Sequence, residues 1–207
     1  LSATTEADLI FNGEPTAGFF GWSASKAGDF DGDCLDDIII GAPNAFGLAG
    51  RAYLIKGVKN YPGSVIPKAV NTISGVKILK GESQINAQFG YSVANLGYMD
   101  SDKLDDIIIG APGSGAAVTG KVFIYNGKCS FDSVTYLKKF TGQNMSDDFG
   151  NSVAGPGDID GDGYRDFIVG DWIYPDPSTG SVYVYNGNQI PLPNIFTLPL
   201  LFSIQGA

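Results

Sequence analysis

Three fourteen-residue segments of the chain align without a gap: GDFDGDCLDDIIIG from Gly28, GYMDSDKLDDIIIG from Gly97 and GDIDGDGYRDFIVG from Gly157. Each joins an acidic loop to an apolar run with β-strand character. A chain made of one repeated unit is restricted to stacked or ring-like architectures, because a single unit cannot bury its own apolar faces. The repeat extends beyond the loop. Phe20-Gly21, Phe89-Gly90 and Phe149-Gly150 stand eight residues before the glycine that opens each segment. Gly41-Ala42-Pro43 and Gly110-Ala111-Pro112 close the apolar run in the first two copies, and Gly170-Asp171-Trp172 departs from that pattern in the third.

Two more strand-like stretches follow in every copy. GRAYLIKG from Gly50, GKVFIYNG from Gly120 and GSVYVYNG from Gly180 place Tyr53, Phe123 with Tyr125, and Tyr183 with Tyr185 in the alternation of a half-buried strand. VKILKGE from Val76, YLKKFTGQ from Tyr136 and LLFSIQGA from Leu200 end each unit. The unit is thus four short strands. Its spacing, 69 residues from Phe20 to Phe89 and 60 from Phe89 to Phe149, suits a four-stranded propeller blade with long loops. Twenty-nine glycines and eleven prolines fit the turns of such a chain.

The expected fold is therefore all-β: residues 1–207 form one segment with three four-stranded antiparallel β-propeller blades over about 15–82, 83–143 and 144–207. ADLIFNGE, residues 7–14, reads as a stray strand of a preceding blade. Three blades leave open edges, so the segment is expected to belong to a larger propeller or to be closed by association of copies. The apolar stretch from Ile190 either covers such an edge or serves as a loop and fourth strand within its own blade.

Composition narrows function. The net charge is −9, and 13 of the 22 acidic residues lie within the three aligned segments. The 13 basic residues are scattered, which argues against a nucleic-acid partner. The chain has no histidine, and so lacks the usual general base near neutral pH, the Ser/His and Cys/His nucleophile pairs and the commonest zinc ligand; we read it as a non-enzyme. Cys34 and Cys129 are too few for a disulfide scaffold, and either a single bridge or two free thiols fits. No apolar run reaches the length of a membrane span, and the opening LSATTEADL lacks a signal-peptide pattern, as in a mature chain or an excised fragment.

In the first loop Asp29, Asp31, Asp33 and Asp37 occupy positions 1, 3, 5 and 9, with the backbone carbonyl of Leu35 at position 7. The third repeats this with Asp158, Asp160, Asp162, the carbonyl of Tyr164, and Asp166. Alternating oxygen ligands suit Ca²⁺, which accepts six to eight oxygens, better than the strictly octahedral Mg²⁺. Two like charges about 4 Å apart repel by ~4 kcal/mol at an effective dielectric near 20, so converging carboxylates call for a cation. These are not EF-hand loops, since Ile40 and Val169 stand where the bidentate Glu would be. The competing reading is a solvated acidic turn held by Asx hydrogen bonds. The second loop is a weaker metal candidate: Tyr98 replaces the first carboxylate, leaving Asp100, Asp102, Asp106 and the carbonyl of Leu104. Two calcium ions are expected, with room for a third. At position 6, Gly163 allows any φ, whereas Cys34 and Lys103 must turn with a side chain.

The combination of Phe-Gly, a DxDxDGxxD-type loop, Gly-Ala-Pro and a closing aromatic strand resembles the FG-GAP repeats of the integrin α-subunit β-propeller, over about residues 7–207. The resemblance implies calcium in a structural role on one face of the ring, ligand binding on the opposite face, and an extracellular or cell-surface adhesion or recognition module. Similar repeats occur in fungal propeller lectins, in a phospholipase D specific for glycosylphosphatidylinositol anchors and in bacterial and protist surface proteins. A protein or a glycan ligand is therefore implied, and a propeller lectin or an accessory domain of a larger secreted enzyme are the alternatives. The loops over 44–49, 113–119 and 173–179 would lie on the ligand face, where Trp172 and Tyr174 either stack on a ligand or pack between blades. Asn144-Met145-Ser146 is a glycosylation sequon in a secreted eukaryotic context.

Overall fold

The computed structural model describes residues 9–14, 18–59, 68–82, 84–115, 118–143, 148–172, 180–189 and 200–205. Three four-stranded antiparallel sheets follow one another along the chain. Blade A consists of β2 (Ser23–Gly28), β3 (Asp37–Ala42), β4 (Arg51–Ile55) and β6 (Val76–Leu79). Blade B is β7 (Ser92–Gly97), β8 (Asp106–Ala111), β9 (Lys121–Tyr125) and β10 (Tyr136–Thr141), and blade C is β11 (Ser152–Gly157), β12 (Asp166–Trp172), β13 (Gly180–Tyr185) and β14 (Leu200–Gln205). Each sheet is an up-and-down meander with neighbours in sequence paired in space. The first strands β2, β7 and β11 pack side by side, as the innermost strands of propeller blades do.

Side chains alternate across each strand, so every blade has two faces with different partners. Ile39 of β3 and Leu54 of β4 point into one core shared with Ile107 and Ile109 of β8 and Phe123 and Tyr125 of β9. Ile108 of β8 and Ile124 of β9 point the other way, into a second core with Phe167 and Val169 of β12. The aromatic-rich face of one blade thus meets the aliphatic face of the blade before it. This corrects the half-buried reading of the third strands. β4 and β9 bury both faces, with Tyr53, Leu54, Phe123 and Ile124 fully enclosed, because a layer covers them on each side. β13 is less enclosed: Val182 is 41% exposed on the face that looks away from blade B, although Val184 on that face is buried.

The Phe-Gly motif couples blades. Phe89 lies edge-on to Phe123 at 5.3 Å and Phe149 to Tyr183 at 5.6 Å, each on its own blade. Their backbones form parallel bridges to Gly50 and Gly120 of the preceding blade. The glycine of each motif donates its N–H to the Gly-Ala-Pro glycine of the same blade: Gly21 to Gly41, Gly90 to Gly110 and Gly150 to Gly170, all at 3.0 Å. Across the blade boundary the Ser23 hydroxyl donates to the Gly90 carbonyl at 3.0 Å, and Ser92 to that of Gly150 at 2.8 Å. A Cβ on Gly41 or Gly110 would stand 1.9 or 2.0 Å from those same carbonyl oxygens, which is why both positions are glycine.

Of the expected stray strand, β1 (Phe11–Asn12) pairs in parallel with β5 (Lys68–Ala69), a segment between β4 and β6. Phe11 packs with Phe20, Ile38 and Ile40 around Tyr53, on the face of blade A away from blade B. Glu14 accepts hydrogen bonds from Arg51 and from the Tyr53 hydroxyl, both at 3.2 Å. This segment covers the face that a preceding blade would occupy. The altered third motif also has a physical reason. Asp171 is buried where the other copies have alanine, and its carboxylate accepts the Ser181 N–H at 2.7 Å and the Tyr183 hydroxyl at 3.0 Å.

Candidate metal loops on one face of the blades

The three acidic loops connect the first to the second strand of each blade, and so emerge at one end of β2, β7 and β11. Their shape is held by the acids themselves. The position-9 carboxylate is fully buried in every copy and spans the loop. Asp37 accepts the N–H of Phe30 at 3.2 Å and of Gly57 at 2.7 Å, and Asp106 those of Met99 at 2.7 Å and Gly127 at 2.8 Å. Asp166 accepts those of Ile159 at 2.7 Å and Gly187 at 3.1 Å. Each clamp ties the loop to the end of the third strand. Burial pushes the carboxyl of Asp37 up to about 6 and that of Asp106 up to about 7, ahead of the backbone hydrogen bonds that favour the ion. The Asp102 carboxyl is raised as well, first by desolvation.

In the third loop the Asp158 carboxylate caps the N–H groups of Gly161 at 2.7 Å and Gly163 at 2.9 Å, and Asp162 accepts that of Tyr164 at 2.9 Å. In the first, Asp29 accepts the Cys34 N–H at 3.0 Å and Asp33 that of Leu35 at 2.9 Å. Such turns aim the alternate carboxylates inward. Asp29, Asp31 and Asp33 bring one oxygen each to within 4.8 Å of one another, as do Asp158, Asp160 and Asp166. Among the described residues no comparable trio forms in the second loop, where Asp100 and Asp102 instead accept the N–H groups of Asp102 at 2.9 Å and Leu104 at 2.8 Å. One oxygen of Asp29 and one of Asp31 are buried with no hydrogen-bond donor. A buried anionic oxygen without a donor is costly unless a cation meets it, so the donor set fits a hard divalent ion.

Two features were hidden in the sequence. The residue just before each clamped glycine, in Ile55-Lys56-Gly57, Tyr125-Asn126-Gly127 and Tyr185-Asn186-Gly187, reaches back into the acids. Asn126 donates to Asp100 at 2.7 Å, and Asn186 to Asp160 at 2.8 Å and Asp162 at 2.9 Å, which lowers the Asp162 carboxyl. Lys56 instead places its ammonium against Asp31 and at 3.1 Å from Asp33, and those carboxylates hold it above the ordinary lysine range. The loops also touch across blades. Asp105 accepts the Asp29 N–H at 3.0 Å and the Asn95 side-chain amide at 3.1 Å, and Asn95 also donates to the Ala27 carbonyl at 2.8 Å. Arg165 occupies the corresponding place in the third copy and lies 5.7 Å over the ring of Tyr98, the residue that replaces the first acid of the second loop.

At the opposite end of the blades, Trp172 ends β12 with 45% exposure, and Tyr174 lies outside the described residues, as do the sequon at 144–146 and the loop over 173–179. A second aromatic group stands at that end. Trp22, 52% exposed, stacks on Phe19 at 5.7 Å and meets Tyr91 at 5.4 Å. Both Trp22 and Tyr91 directly follow a Phe-Gly pair, a repeat position that the sequence reading did not single out. Cys34 and Cys129 are free and exposed.

The FG-GAP repeat family matches residues 20–55 and 149–185, the two stretches that contain the acid trios. The chain is 36% identical to integrin alpha-5 of Xenopus laevis over 187 residues, 87% of this chain and 17% of that protein. It is 35% identical to integrin alpha-V of Gallus gallus over 165 residues, 77% of the chain and 15% of the relative. Integrin alpha-4 of Xenopus laevis matches at 32% over 168 residues, 76% and 15% of the two chains. These are integrin-like FG-GAP repeats. The sheets of blades A to C are the propeller blades of this family, and the chain spans under a fifth of the length of the curated relatives it matches.

Proposed function

We propose that this chain is a calcium-stabilised part of an extracellular adhesion or recognition propeller. The observation that carries the reading is the convergence of Asp29, Asp31 and Asp33, with two buried oxygens lacking donors, at the same place in the repeat as the trio of Asp158, Asp160 and Asp166. Asp29, Asp31, Asp33, the Leu35 carbonyl and Asp37 would hold one ion; Asp158, Asp160, Asp162, the Tyr164 carbonyl and Asp166 a second. Asp37 and Asp166 keep spare lone pairs after clamping the backbone, so ligation is compatible with their hydrogen bonds. Asp100, Asp102, the Leu104 carbonyl and Asp106 form a weaker third set. Calcium supplies positive charge that fixes the turn between first and second strands and offsets carboxylate repulsion, and so stabilises the blade by linkage.

The similarity to integrin α-subunits supports a cell-surface setting and a macromolecular ligand on the end opposite the loops, with further blades or a second copy completing the ring on the exposed face of blade C. Beads coated with the chain, offered to cells and to extracellular-matrix protein in calcium and in EDTA, test this. Calcium-dependent retention by protein supports the reading. Retention only on glycan arrays, lost in Trp172→Ala, would replace it with a lectin.

A further inference from the structure

The three acidic loops are not electrically equivalent. At the position where Asn126 and Asn186 offer a neutral amide to the second and third loops, the first loop has Lys56. Its ammonium contacts Asp31, whose side chain is 4% exposed, and stands 3.1 Å from Asp33, two members of the only acid trio in that loop. These are the carboxylates a divalent ion would need. Arg165 brings a second fixed cation beside the second loop, over Tyr98. In the third loop, by contrast, the described partners of Asp160 and Asp162 are backbone N–H groups and the uncharged amides of Asn186 and Asn188.

We propose that Lys56 is a built-in counter-cation of the first loop, which a divalent ion must displace, so that the third loop is the principal calcium site of the chain. The inference rests on the calcium reading above and adds an order of affinity to it. An ammonium against two of the three carboxylates neutralises one charge without an ion and keeps the loop closed, so the first blade retains its turn in calcium-free solution. A divalent ion entering there must move the ammonium out to solvent, along the flexible stem of a side chain that is already 38% exposed. The third loop has no such internal charge and gains the full neutralisation on binding.

The test is calcium titration by calorimetry, with terbium luminescence as a second readout, on the full chain and four variants. Wild type is expected to show one tight site, abolished in Asp160→Asn. Lys56→Met, which removes the charge without adding an oxygen ligand, and Lys56→Asn, which copies the other repeats, are each expected to tighten the first-loop site at least tenfold. Asn186→Lys is expected to weaken the third at least tenfold. A merely structural ion pair would change the melting temperature of the Lys56 variants in EDTA but not their calcium stoichiometry or affinity. Unchanged affinity of the first loop in both Lys56 variants overturns the proposal even if the third loop binds as expected. Loss of binding in wild type and Asn186→Lys alike, with a gain in Lys56→Met, overturns calcium binding at the third loop and leaves Lys56 as the competitor.

Discussion

Replacing Gly110 by alanine should separate blades B and C, and replacing Gly170 should not. Neither glycine has a positive φ, so alanine is conformationally allowed at both and only space decides. At Gly110 the new Cβ would stand 2.0 Å from the Gly150 carbonyl oxygen, against the 3.4 Å of ordinary contact, so the blade backbones must part by about 1.4 Å. That shift strains the 2.8 Å hydrogen bond from Ser92 to the same carbonyl, a loss of about 1 kcal/mol, and overpacking adds ~1–3 kcal/mol. The total is ~2–4 kcal/mol, or about 4–16 °C in melting temperature for a chain of this size. At Gly170 the close neighbour is the Ser152 hydroxyl at 2.3 Å, and the next atoms lie at 3.6 Å or more. A rotamer change of Ser152 relieves it, at a cost under about 1 kcal/mol. Thermal melts followed by circular dichroism of the two variants make the comparison. Equal costs, or a Gly110→Ala shift within about 1 °C, would refute the steric coupling of Phe-Gly to Gly-Ala-Pro across blades.

Phe89→Ala removes a fully buried ring that touches Phe123 and Tyr125, and should cost ~3–5 kcal/mol in chemical denaturation. Cys34 and Lys103 each hold φ at 65° where the third loop has Gly163, so Cys34→Gly and Lys103→Gly should each raise stability, by ~0.5–1 kcal/mol, measurable in urea melts. In EDTA, burial of Asp106 and Asp37 raises their folded-state values to about 7 and about 6 from 3.8, so the fold holds protons that the unfolded chain releases. Their contribution is present below 3.8 and lost as pH rises through the folded values, so the calcium-free melting temperature should fall between about pH 4 and 7 and level off above, and calcium should flatten that fall. Lys121 and Lys139 lower the Glu82 carboxyl, so its contribution is present above 4.5 and lost as pH drops, an acid-side decline that Glu82→Gln should remove.

The sequence made the blade legible because its signals are periodic: Phe-Gly, the acidic loop and Gly-Ala-Pro recur at fixed offsets, and each offset answers to one contact. Phe89 stacks on its blade, Gly90 bonds to Gly110, and Asp106 clamps Met99 and Gly127. The acidic loops were legible as alternating carboxylates, and the second, with Tyr98 in place of the first acid, forms no carboxylate trio among the described residues. What stayed hidden depends on neighbours distant in the chain. Val122 and Val182 occupy the same strand position, yet one is fully buried and the other 41% exposed, because blade C covers the first and no described layer covers the second. Lys56 looked like an ordinary strand-end lysine, since its contact with Asp31 crosses 25 residues. Arg165 gave no signal until its ring partner in the preceding blade was known.

The most direct measurement is the thermal stability of the chain in millimolar calcium and in excess EDTA, with the Asp160→Asn variant beside wild type. Saturating a site at about 100 times its dissociation constant adds ~2.7 kcal/mol, so wild type should melt several degrees higher in calcium, and Asp160→Asn should lose most of that increment. An identical melting temperature in calcium and EDTA for wild type would contradict the calcium-stabilised propeller.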